Sequence, residues 1–103
     1  MLIVRSRNGV PVRLTDERWQ HIVRRHPEME GLRERILETV AEPDCIQAGD
    51  FGELLAGRFY PQTPLTSKYV VVAYREVGSD DGFVLTAYLA TQLSGRRRVL
   101  WRR

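Results

Sequence analysis

The chain has 103 residues and a net charge of +3, a size that folds around one core and keeps roughly 6,000 Å² of surface out of the roughly 17,000 Å² exposed when unfolded. With 43% hydrophobic and 28% charged residues, the composition excludes a disordered tail, a collagen-like repeat and a disulfide miniprotein. No apolar run reaches the ~18 residues of a membrane span and the first residues lack the pattern of a signal peptide, so a cytoplasmic protein without membrane contact is expected.

Residues 2–6 and 10–14 flank Asn8-Gly9, a dipeptide suited to the positive φ values of a tight hairpin turn. Pro11 marks one strand of this hairpin as an edge. Thr15 is a candidate N-cap, Asp16 and Glu17 suit a helix start, and Trp19, Ile22, Val23 and His26 recur at helical spacing. A helix over about 16–26 follows, ended by Pro27. Leu32, Ile36, Leu37 and Val40 mark a second helix, closed by Pro43.

Beyond Asp44 the pattern changes to period two, with short strands at about 44–48 and 53–60 and long ones at 68–77 and 82–92. Cys45, the only cysteine, reads as a small buried side chain, and it excludes an intrachain disulfide. Residues 78–82 are turn chemistry, and a loop of that span pairs Val77 with Phe83, Tyr74 with Thr86 and Val72 with Tyr88. One face then carries Val71, Ala73, Phe83, Leu85, Ala87 and Leu89 and takes the helices. The other carries Lys68, Val70, Val72, Tyr74, Thr86 and Tyr88 and forms a half-open platform. A slip of one residue exchanges the faces.

The expected architecture is a single α+β domain over 1–103, in which two N-terminal helices, after a short hairpin, pack on one face of a mainly antiparallel sheet of about four strands. Arg96, Arg97, Arg98, Arg102 and Arg103 give it a basic C-terminal end over 96–103. That end serves either as a solvated surface or as a phosphate-binding patch.

The two histidines, His21 and His26, both fall on the first helix. His26 lies in the apolar stripe, whereas His21 points about 200° from Trp19, among Glu17, Arg24 and Arg25. Structurally, the first reads as a core histidine and the second as a surface one. Chemically, an imidazole near a phosphodiester takes a proton from a ribose 2′-hydroxyl or gives one to the leaving 5′-oxygen. Arg24 or Arg25 beside it would stabilise the anionic phosphorane. Zinc is disfavoured, because a spacing of five places the histidines about 140° apart on the helix. On the platform, Tyr88 and Tyr74 suit stacking on bases, Lys68 and Arg58 suit phosphates, and Thr86 suits a phosphate oxygen. No phosphate loop, serine elbow or zinc-protease motif is present, and no metal or cofactor is expected.

Leu-Thr-Asp-Glu-Arg-Trp-Gln-His-Ile-Val-Arg-Arg-His-Pro-Glu-Met, the following helix with Glu-Pro-Asp-Cys-Ile, the Lys-Tyr-Val-Val-Val strand and Gly-Phe-Val-Leu-Thr-Ala-Tyr together resemble the phage and bacterial nuclease-like families of the barnase, EndoU, colicin and RelE superfamily. The likeness spans about residues 14–92. It implies N-terminal helices against a four-stranded antiparallel sheet and a metal-independent, toxin-like endoribonuclease that leaves a 2′,3′-cyclic phosphate. Carried over by position, the helix histidine motif falls on His21 and His26 and the Thr-Ala-Tyr on Thr86 and Tyr88, with Lys68 at the head of the matching strand. Together with the chemistry of the residues themselves, the expected catalytic set is His21, the preferred base or acid, His26 as its partner or as the group fixing the helix against the sheet, Arg25, Thr86 and Tyr88, with Arg24, Arg58, Lys68, Arg96, Arg97 and Arg98 binding phosphate or RNA. The implied partners are RNA and an antitoxin or inhibitor protein. The alternatives are a non-catalytic RNA-binding or protein-interaction module, and a structural protein whose open sheet face joins subunits.

Overall fold

The computed structural model describes residues 1–103, beginning with a hairpin of β1 (Leu2–Arg5) and β2 (Pro11–Leu14). Within this turn Gly9 alone takes a positive φ, of 82°, and the Gly9 N–H donates to the Ser6 carbonyl at 2.8 Å. The turn is therefore a three-residue loop ending in a left-handed glycine, in place of the two-residue turn expected from Asn8-Gly9. β1 is the edge strand; Pro11 stands on β2, one strand further in.

Helix α1 spans Asp16–Arg25, with the Thr15 Oγ1 accepting from the Arg18 N–H at 3.1 Å. Acids in its first turn and Arg24 and Arg25 in its last complement the helix dipole. Pro27 bars helical geometry at the preceding residue, and His26 leaves the helix at φ −134° and ψ 77°. A 3-10 turn at Pro27–Met29 leads into α2, Arg33–Ala41. Ile22 of α1, Met29 of the turn, and Ile36 and Val40 of α2 are fully buried in one core.

The remaining strands are β3 (Cys45–Ala48), β4 (Leu54–Tyr60), β5 (Lys68–Glu76), β6 (Gly82–Ala90) and β7 (Val99–Arg102). All seven join one sheet in the order β1-β2-β6-β5-β4-β3-β7. The expected sheet of about four mainly antiparallel strands is thus corrected: the class is α+β, but the sheet has seven strands and is mixed, because β2 runs parallel to β6 at Val12–Gly82 and Arg13–Phe83. The hairpin is built into the sheet, and part of the presumed basic tail is strand β7 on Cys45, Ile46 and Gln47. The sheet curls around α2, which touches β1, β4 and β5. Across the gap between its two edges, the Arg7 guanidinium lies 4.8 Å from the Trp101 ring centroid.

The β5–β6 pairing also differs from expectation. The loop is 77–81, closed by Glu76 opposite Gly82 and by a Val77 N–H bond to the Asp81 carbonyl at 2.7 Å. A bulge then leaves Leu85 unpaired, between Ala73 opposite Thr86 and Tyr74 opposite Val84. Consequently Val70, Val72, Tyr74 and Ala87 face the helices, whereas Val71, Ala73, Leu85 and Tyr88 lie on the opposite face with Leu55. The platform face assigned to Lys68, Val70, Val72 and Tyr74 is in fact the helix side.

Two tyrosines of this core link stability to high pH. Burial, reinforced by a 2.6 Å hydrogen bond donated to Glu38 Oε1, pushes Tyr60 up to about 12; burial and then Glu76 push Tyr74 higher still. Both phenols hold their protons more tightly when folded, so their stabilisation is complete below the ordinary tyrosine value of about 10 and lost as pH rises beyond it. Thermal melts should therefore show Tm falling between pH 10 and about 12, and Tyr60→Phe should flatten that fall. An unchanged slope in the variant would refute the linkage.

Candidate functional site

Strand β2 covers the edge of β6 only as far as Phe83, and α1 with the following 3-10 turn runs along the remainder. Arg18 fastens this arrangement, its Nη1 donating to the carbonyl of the bulge residue Leu85 at 3.2 Å. Because Pro27 expels His26 from the helix at this edge, the His26 ring meets Tyr88 of β6, with centroids 5.9 Å apart and planes inclined at 38°. The Nδ1 of His26 lies 3.7 Å from Glu28 Oε2, and the histidine side chain is 33% exposed. Such an imidazole is open to substrate.

Thr86 and Tyr88, two residues apart on β6, are both half-buried, and alternation beyond the bulge places them on the same open face. His26, Thr86 and Tyr88 are thereby brought to one edge. His21 is not part of this contact: it lines a separate polar groove of about 390 Å³ with Thr15, Glu17, Arg18 and Arg24. Arg25 is exposed in the last turn of α1, adjacent to His26.

The open face is not bare. Residues 91–98, linking β6 to β7, cross it as a strap. Leu93 sits over Gly57, where an added Cβ would lie 2.7 Å from its Cδ2. Gln47 Nε2 donates to the Ser94 carbonyl at 2.7 Å, and Arg97 Nη1 donates to Asp50 Oδ1 at 2.9 Å. Beneath the strap, Tyr88, Val71, Leu55 and Leu93 line a slot of about 370 Å³. A second slot of about 460 Å³, sharing Gln47, Leu93 and Ser94 with the first, has Tyr69, Cys45 and Arg102 in its walls.

The proposed phosphate ligands divide by their partners. Arg58 is engaged: its Nη1 donates to the Glu42 carbonyl at 2.9 Å, and its guanidinium approaches Glu38 and Glu42. Lys68 lies on the helix side by alternation, with Nζ donating to Thr91 Oγ1 at 3.0 Å. Arg97 anchors the strap. Arg24, Arg25, Arg96, Arg98 and Arg102, by contrast, form no ion pair.

Sequence reasoning missed Tyr69, with Phe59 edge-to-face at 5.4 Å, as open-face aromatics, and Leu93 as the side chain dividing the face. Counting alternation from Val71 would have found Tyr69. Both faces of β5 are apolar, however, so hydrophobicity did not say which one the helices cover. The strap leaves no local pattern at all, since its path depends on where β7 pairs. Set against known proteins, the chain matches no family model, no curated protein and no solved structure, so the functional reading rests on the residues themselves.

Proposed function

We propose that the protein is a metal-independent endoribonuclease acting in the cytoplasm, the activity implied by its resemblance to the barnase, EndoU, colicin and RelE superfamily. The observation that carries the reading is the meeting of a part-exposed histidine, His26, with Tyr88, which lines the slot beneath the strap, next to a second slot walled in part by the unpaired Arg102. In this reading His26 accepts the proton of a ribose 2′-hydroxyl, whose oxygen attacks the adjacent phosphorus and expels the 5′-oxygen. The proton taken up by His26 passes, directly or through solvent water, to the departing 5′-oxygen, so the products are a 2′,3′-cyclic phosphate and a 5′-hydroxyl and the imidazole is returned neutral. Tyr88 packs against the imidazole, Thr86 and Tyr88 orient the phosphate, and Arg25 stabilises the phosphorane. His21, with Arg24, binds flanking phosphate in its own groove. A cognate inhibitor protein is the further partner this reading implies.

Incubation with mixed cellular RNA in chelator is the direct test. Fragments ending in cyclic phosphate are expected. Intact RNA that is nonetheless bound would replace the nuclease with a non-catalytic RNA-binding module, for which the same arginines and groove suffice.

A further inference from the structure

We propose that the strap over residues 91–98 divides the open face into two base slots, one walled by Tyr88 and the other by Tyr69, which take two neighbouring unpaired nucleotides of one RNA strand. The inference rests on the reading of RNA as the ligand of this face. It deepens that reading from RNA in general to an extended single strand straddling Leu93.

The first argument is spacing. Tyr88 stands opposite Val71 and Tyr69 opposite Ala90, so the tyrosines are diagonal neighbours on adjacent strands, about 7–8 Å apart. Stacked nucleotides rise only 3.4 Å per strand position. Neighbouring bases can reach both tyrosines only when unstacked, a state open to a single strand and closed to a duplex. Leu93, seated over Gly57 between the slots, supplies the apolar wedge that keeps the two bases apart.

The second argument is charge. Arg102 lines the Tyr69 slot without a carboxylate partner, and Arg96 and Arg98 on the strap are equally free, while Arg97 is held by Asp50 and the Ala48 carbonyl. Each slot presents one tyrosine with Leu93 and the amides of Gln47 and Gln92; the charged residues in the walls are Asp44 and Arg102 in one slot and the engaged Arg97 in the other. Slots that offer π-faces and amides, with the unpaired Arg102 in one wall and Arg96 and Arg98 nearby on the strap, match a base-bearing polyanion and not an acidic peptide.

Fluorescence anisotropy with a labelled RNA octamer, single-stranded or annealed to its complement, tests the proposal on the full chain. The wild type should bind the single strand at least tenfold more tightly than the duplex, and Tyr69→Leu should weaken single-strand binding by about tenfold. Should Tyr69→Leu fail to fold, Arg102→Gln on the edge strand β7 serves in its place and should reduce the salt slope of binding by about 0.7. Equal affinity for both forms, a folded Tyr69→Leu that binds like wild type, an unchanged Arg102→Gln slope, or no RNA binding would each overturn the proposal. Single-strand preference lost in Tyr69→Leu, in a protein that never cleaves RNA, would uphold the slots and remove the nuclease. Cleavage with cyclic ends and no effect at Tyr69 would do the reverse.

Discussion

His26→Gln is expected to lower RNA cleavage by about 10²–10⁴-fold, the usual contribution of one positioned acid-base group. Glutamine keeps a polar side chain beside Glu28 and Tyr88 but carries no titrating proton at neutral pH. With a third of its surface in water, the histidine is no core anchor, so Tm should move little. His21→Gln, altering a groove on another side of α1, should act mainly through KM. A His26→Gln protein that cleaves at the wild-type rate would remove the mechanism, and a His21→Gln protein that loses kcat by the larger factor would move it to the other histidine. The order of the two effects is decided by the contact between His26 and Tyr88.

Gly82→Ala should be the most damaging small substitution in the sheet. Gly82 pairs on one side with Val12 of β2 and on the other with Glu76 of β5. An added Cβ would lie 2.6 Å from the Arg75 carbonyl oxygen, 3.2 Å from Val12 Cγ2 and 3.3 Å from the Pro11 carbonyl oxygen. Two of these neighbours are backbone atoms of flanking strands, so relief requires moving a strand rather than a side chain. Overpacking of this kind costs about 1–3 kcal/mol, and at 4–8 °C per kcal/mol for a domain of this size the upper end lowers Tm by more than 10 °C. Gly95→Ala, with no atom within 4 Å of the added methyl, is the matched control. Comparable melting of the two variants would show that β2 and β6 are not packed as described.

The two substitutions mark the boundary of what local pattern contains. The helices were legible because capping, charge and apolar spacing act within one or two turns: Thr15 caps α1, Pro27 ends it, and Ile36 and Val40 of α2 point inward. Strands β3 to β6 were legible for the same reason, to within a residue or two at each end. The face of β5 was not. Val70, Val72 and Tyr74 alternate with Val71 and Ala73, both sets being apolar, and one bulge at Leu85 shifts the pairing with β6. β7 was hidden among arginines, since four residues acquire strand geometry here only by pairing with β3.

The amino-acid sequence by itself determined an α+β domain with a hairpin, two helices and a strand-rich second half, and named the residue types able to move a proton or hold a phosphate. Tertiary structure alone decided that seven strands share one mixed sheet, that His26 rather than His21 meets Tyr88, that Arg58 and Arg97 are engaged by neighbouring acceptors while Arg96, Arg98 and Arg102 are free of them, and that a strap divides the open face. Propensity, capping and turn chemistry reach only a few residues along the chain. The partners of these residues lie tens of positions away, where pairing register and the curl of the sheet choose them.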